Sequence, residues 1–218
     1  MTWYKDVGFE YNPLCIKPFE EFDLFFDGKS LVEDVIEVID KGENLVLKGP
    51  LGTGKTSILK KIIDEFGGKR KLFYYNAFSA SSPLDFDRVL RKAGGFFSRA
   101  FNVKSKNVVL FVDEAHHLSK ENVAELSEFL GSYFKSVVLA SSEAKYVVPD
   151  VLKDNFKHVI NISKFSEKDA FNIIENRLGD DFEDVLSKDD VQVLFEKSST
   201  PREFLLNCEA FCREKLEN

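Results

Sequence analysis

The run Gly49-Pro50-Leu51-Gly52-Thr53-Gly54-Lys55-Thr56 has the spacing G-x-x-x-x-G-K-[ST], and the chemistry that spacing suits is the cradling of phosphate. Glycine lets the backbone curl so that successive N–H groups face one anion, and a helix opening at the end of the loop adds the positive end of its dipole. Lys55 then reaches the terminal phosphates as a point charge, and the Thr56 hydroxyl is a ligand for Mg²⁺. A second group follows at Val108-Val109-Leu110-Phe111-Val112-Asp113-Glu114, an apolar run that ends in two carboxylates. Ligands sit at the C-terminal ends of strands in parallel sheets. Asp113 is therefore expected in the Mg²⁺ shell. Glu114 is expected to polarise an attacking water as general base.

Elements of a particular kind must hold these residues. Leu45 to Leu47, Leu72 to Tyr75, Val108 to Val112, Val137 to Ala140 and Val159 to Ile162 are short runs apolar on both faces, as in buried strands. Helical periods lie between them: Ile58, Leu59, Ile62, Ile63 and Phe66 stop at Gly67-Gly68, and Val123, Leu126, Phe129 and Leu130 stop at Gly131. Strand and helix alternating in this way predict an α/β fold, a five-stranded parallel sheet with helices on both faces. After Ile162 the strands cease. Ser166 with Asp169 reads as a helix cap with its box partner, leading Ala170, Ile173, Ile174 and Leu178 to a stop at Gly179. A further helix is expected after Ser187, and a third opens on Thr200-Pro201-Arg202-Glu203 and carries Phe204, Leu205, Cys208, Phe211 and Cys212. The expected domains are residues 1–163, which would bind nucleotide, and 164–218, a small helical domain.

Composition bounds the function. The chain has 218 residues, 44% hydrophobic and 31% charged, enough to bury a core without staples and unlike a disordered chain. No apolar run is long enough to cross a bilayer, and Lys5, Asp6 and Glu10 interrupt any signal-like stretch. Three cysteines make neither a disulfide framework nor a metal box, so a reduced, cytoplasmic setting is expected, without membrane insertion. Net charge is −7, which argues against a surface devoted wholly to nucleic acid. Locally the sign reverses: Lys69 to Lys106 holds nine basic residues against two acidic ones.

These motifs, in this order, resemble the AAA+ ATPases over nearly the whole chain. The resemblance implies ATP and Mg²⁺ as cofactors and ATP hydrolysis as the activity. It also implies a polar residue at the end of the fourth strand that helps place the water, here Ser142 or Ser141, and a lid arginine that touches the terminal phosphate, here Arg202. Tyr74-Tyr75-Asn76-Ala77 is similar to replication initiators of the origin-recognition type, and Phe9-Glu10-Tyr11-Asn12-Pro13 with Lys17-Pro18-Phe19 to the ExeA and TniB group. In both groups the stretch before the first strand packs near the adenine, a role open here to Phe9, Tyr11 or Pro13, with ordinary core packing the equal alternative. His116 and His117 complete Asp-Glu-Ala-His, a string shared with two-lobed helicases, but 218 residues leave no room for a second lobe. They are not expected to ligate metal.

One departure bears on assembly. Rings of this family place an arginine finger between the fourth and fifth strands, yet no Arg occurs between Phe101 and Asn176. Asn155 stands near the expected place, and Lys153 or Lys157 lacks the planar fork that suits a spread phosphoryl charge. Other AAA+ subunits, one of which supplies the finger, are the expected partners. DNA is the other, because in the AAA+ layout the segment between the second and third strands lies toward the face that engages substrate. There Arg88, Arg91, Lys92 and Arg99 accompany Phe96 and Phe97 after Gly94-Gly95. The competing reading of the same segment is an amphipathic helix that buries Phe86, Val89, Leu90, Ala93 and Phe97. The expected function is ATP-driven assembly on DNA in replication initiation, loading, recombination or transposition. The alternatives are a STAND-type signalling switch and a helper ATPase of a secretion or membrane machine.

Overall fold

The structure is a computed structural model that describes residues 3–16, 28–79, 84–93, 103–143, 145–162, 164–179 and 182–217. Five strands, β1 (Leu45–Lys48), β2 (Lys71–Asn76), β3 (Val108–Asp113), β4 (Phe134–Ser141) and β5 (His158–Asn161), form one sheet in the order β2-β3-β4-β1-β5. Every pairing is parallel. The cause is visible in the strands themselves: β3 is buried along its whole length, as only a central strand covered on both faces can be. Val46, Val108, Leu110, Val112, Val137 and Leu139 belong to one core cluster, while the alternate residues Leu45, Leu47, Val109, Phe111 and Val138 have no exposed surface either. Each such side chain contributes about 1.5–3 kcal/mol by leaving water.

The helices are α1 (Trp3–Asp6), α2 (Gly28–Asp40), α3 (Lys55–Phe66), α4 (Phe86–Ala93), α5 (Lys120–Phe129), α6 (Asp150–Lys153), α7 (Glu167–Leu178), α8 (Lys188–Glu196) and α9 (Pro201–Glu217). Helix α3 ends where Gly67 and Gly68 adopt φ of 44° and 73°, conformations a glycine reaches without penalty. Phe86, Val89 and Leu90 of α4 are buried with Leu126 of α5 and Leu152 of α6 on one face of the sheet, so the amphipathic reading of α4 describes its apolar side. Caps appear where serines predict them: Ser166 and Asp169 form a reciprocal box at the start of α7, and Ser187 and Asp190 do so at α8. At α9 the pattern shifts by one residue. Thr200 Oγ1 accepts from Glu203 N–H at 3.2 Å, but the Glu203 carboxylate accepts from Ser199 N–H at 2.8 Å rather than from the cap itself.

By contacts the chain divides into two compact units. One comprises Ser30–Pro50 and Ile58–Ile162, the other Met1–Lys29, Leu51–Ser57 and Ser163–Asn218. A contiguous division after residue 163 does not anticipate the grouping of residues 1–29 and 51–57 with the C-terminal helices. In this second unit Trp3 and Leu14 share a core with Ile173, Ile174, Leu178, Phe204, Leu205, Cys208 and Cys212. The buried Arg177 of α7 donates through Nη1 to the carbonyls of Pro13, at 2.9 Å, and Cys15, at 2.6 Å.

Candidate functional site

The acidic end of β3 lies in the sheet unit. Asp113, the last residue of the strand, has no exposed surface, and a buried carboxylate requires hydrogen-bond donors. Tyr74 on β2 supplies one, its hydroxyl lying 2.9 Å from Asp113 Oδ2. The Glu114 backbone N–H supplies a second at 3.0 Å from Oδ1. Register explains the first contact, since Tyr74 pairs with Phe111 and Asn76 with Asp113, so the phenol stands on the carboxylate's face two positions back. Burial and then the Asp113 charge hold the Tyr74 pKa above its usual value, which keeps the phenol protonated as a donor.

Glu114 turns the chain out of the strand with φ 52° and ψ 45°. A left-handed conformation costs a residue with a Cβ about 1–2 kcal/mol, and such strain persists only where the surroundings impose it. Here they do. Ala115–His117 forms a 3₁₀ turn, with His117 N–H donating to Glu114 O at 2.9 Å. Ser142, just beyond β4, donates its hydroxyl to Glu114 Oε2 at 2.6 Å. His116 Nδ1 lies 3.2 Å from Ser141 Oγ and 3.5 Å from Glu114 Oε2. The structure thus brings Glu114, Ser141 and Ser142 together. It adds Tyr74 and His116, which the motif reading passed over. Neither contact has a signal of its own in the sequence, because the first depends on strand register and the second on the 3₁₀ turn.

Strand β1 leads to the glycine loop. Its pairing with β4 aligns Lys48 with Ser141, and Gly49 N–H donates to Ser141 O at 3.3 Å. Since β3 pairs with β4 on the other side, aligning Val112 with Leu139, β1 and β3 end on the same edge of the sheet.

Residues 51–57 belong to the helical unit. Gly52 and Gly54 adopt φ of 85° and 91°, the left-handed values a curled loop demands. Thr53 and Lys55 are 4% exposed, Thr56 is half-buried and Leu51 is exposed. Lys55 opens α3, so the loop carries its cation on the helix's first turn. The start of α9 packs on this loop: Arg202 N–H points to Gly52 O at 3.4 Å. A Cβ placed on Gly52 would stand 2.8 Å from Arg202 Cβ and 3.1 Å from Thr200 Oγ1. Arg202 and the loop are therefore brought together. Gly49 and Pro50 belong to the sheet unit.

The donor sets suit Mg²⁺ and a nucleotide. A threonine hydroxyl and a carboxylate are hard oxygen ligands, and the loop's glycine conformations match a cradle of N–H groups. On the basic segment, Arg88 and Lys92 are exposed along α4. Arg91 is engaged by Asp87 at 3.1 Å, and the same carboxylate holds Lys104 at 2.5 Å. Phe96, Phe97 and Arg99 lie outside the described residues.

Residues 45–164 match the sequence profile described as "ATPase family associated with various cellular activities (AAA)". No curated protein sequence matches the chain. Among solved structures, the Thermotoga maritima RuvB Holliday junction branch migration motor is 18% identical, with a TM-score of 0.62 over 87% of this chain and 68% of that one. A DNA replication initiation factor is 21% identical, with a TM-score of 0.65 over 96% of this chain and 67% of its own.

Proposed function

The chain belongs to the ATPase family associated with various cellular activities, and on that premise we propose that it binds Mg-ATP and hydrolyses it to drive or switch assembly on DNA. The observation that carries this reading is the pairing of a buried Asp113 with a strained, serine-held Glu114 at the sheet edge where β1 also ends.

In this reading the loop Gly49 to Thr56 cradles the phosphates, the N–H groups after Pro50 facing them, and Lys55 neutralises their terminal charge. Thr56 and Asp113 hold Mg²⁺, which when bound draws charge from the phosphate oxygens. Glu114 accepts the proton of the attacking water, and Ser142 orients Glu114 by donating to Oε2. Arg202, at the start of α9, senses the terminal phosphate. Residues 1–163 serve as the nucleotide-binding domain and 164–218 as its lid. Support for a role on DNA comes from two structural neighbours, one a branch migration motor and the other a replication initiation factor. Other subunits of the same family are the proposed partners.

The test is Lys55→Ala, read by titration of a fluorescent ATP analogue with Mg²⁺. The variant should lose binding while its circular dichroism stays that of the parent. Parent-like affinity would overturn the reading.

A further inference from the structure

The sheet has a second chemically marked edge, remote from the carboxylates. Lys71 opens β2 opposite Val108, and Asn76 closes it opposite Asp113, so about 16 Å of strand separates the two ends. At the Lys71 end an open groove of about 880 Å³ runs between the end of α3, the turn that follows it and the end of α4. Lys69, Arg70, Lys71 and Lys92 stand along it with one acid, Asp64. Lys106 is exposed two residues before β3 begins, at the same edge.

These cations differ in how they are compensated. Arg70 is committed: it bonds Asp40 and lies over the Phe66 ring, 4.6 Å from its centroid. Lys69, Lys71 and Lys92 have no ion-pair partner among the described residues, whereas Arg91 and Lys104 share Asp87. Three uncompensated cations of the basic segment therefore gather in the groove, while Arg88 is exposed outside its lining, on a chain whose net charge is −7. Three ammonium groups on flexible stems respond to charge density and lack the planar fork that reads base edges. Among the described residues the lining contains no aromatic side chain, so these offer no platform on which unpaired bases could stack. At Gly68 no atom lies within 4 Å of a would-be Cβ, which leaves the rim open to a bulky ligand.

We propose that this groove binds the phosphodiester backbone of duplex DNA, independently of its sequence. The site lies apart from the nucleotide residues and needs none of them. Elsewhere the acidic surface repels the polyanion, which confines the contact to this edge and makes it depend on salt.

The test uses the full chain and a labelled duplex, followed by fluorescence anisotropy across a salt series, with ATP-analogue binding measured in parallel. Lys69→Gln, Lys71→Gln and Lys92→Gln together should weaken duplex binding at least tenfold at low salt. The slope of log affinity against log salt should flatten by about one per lysine, with ATP-analogue affinity unchanged. Lys120→Gln, Lys164→Gln and Lys168→Gln, also exposed, remove equal charge elsewhere and should leave duplex affinity within about twofold. The proposal is overturned if the parent fails to bind duplex, or if the two triple variants lose affinity equally. It is overturned as well if polyglutamate displaces the duplex as readily as unlabelled duplex does, because the groove would then be a dock for acidic protein. Loss of ATP-analogue binding by Lys55→Ala leaves all these readings intact, so this proposal and the nucleotide proposal fail separately.

Discussion

At the scale of single residues, Glu114 concentrates what is unusual in the molecule. Its carboxylate is held by Ser142, just beyond the neighbouring strand, and its backbone is left-handed. Glu114→Gln keeps the shape and the hydrogen bonds but cannot accept a proton. It should bind Mg-ATP like the parent and release phosphate about 10² to 10⁴ times more slowly; equal turnover would move the base elsewhere. A second pair separates strain from chemistry. Glu114→Gly and Glu114→Ala both lose the carboxylate, but only glycine relieves the left-handed backbone, so denaturant unfolding should find the Gly variant more stable by about 1 kcal/mol. Tyr146 supplies the pH dependence. Burial pushes its pKa up to about 12, so the fold favours the neutral phenol. The stability this gives is complete below the unfolded value of about 10 and is lost as pH rises from there toward 12. Melting curves of Tyr146→Phe should fall less steeply than those of the parent across that window.

At the scale of elements, the contact between Gly52 and the start of α9 can be tested directly. Gly52→Ala puts a methyl group 2.8 Å from Arg202 Cβ on a backbone at φ 85°, and should destabilise the chain by about 1–3 kcal/mol. In an Arg202→Gly background, which removes the facing Cβ, the cost should shrink to the backbone strain alone; an unchanged cost would mean the two positions do not touch. The strands and most helices were legible in the sequence because Val, Leu and Ile runs bounded by glycine leave few alternatives. The cap of α7 was equally plain from the spacing of Ser166 and Asp169, whereas at α8 Ser187 marked the start but its partner Asp190 was not read. Helix α2 was not read. Its buried residues Val32, Val35 and Ile39 sit among β-branched neighbours whose intrinsic preference is for strands, and tertiary packing overrides that preference. In the site, Lys55, Asp113 and Glu114 announce themselves by motif. Tyr74 and His116 become visible only once strand register and a 3₁₀ turn bring distant residues together.

At the scale of the whole molecule, the stretch between β4 and β5 carries no arginine, and Asn155 is exposed there. Purified alone, the chain should turn ATP over slowly, and a family partner that supplies an arginine should raise the rate, by about 10³ to 10⁵ where such fingers act. Vigorous turnover that does not depend on concentration would contradict this. The grip of Arg177 on the carbonyls of Pro13 and Cys15, across 164 and 162 positions of sequence, also sets a timetable for biosynthesis. Residues 3–16 leave the ribosome well before the helices that cover them. Such distant pairing is slow to form, and until α7 to α9 are made the aromatic face of α1 lacks the core it packs in. Trp3 is the sole tryptophan and is 1% exposed in the finished fold. Its emission should therefore be that of a water-exposed indole in a chain cut after residue 162, and shift to the blue as α7 to α9 are added.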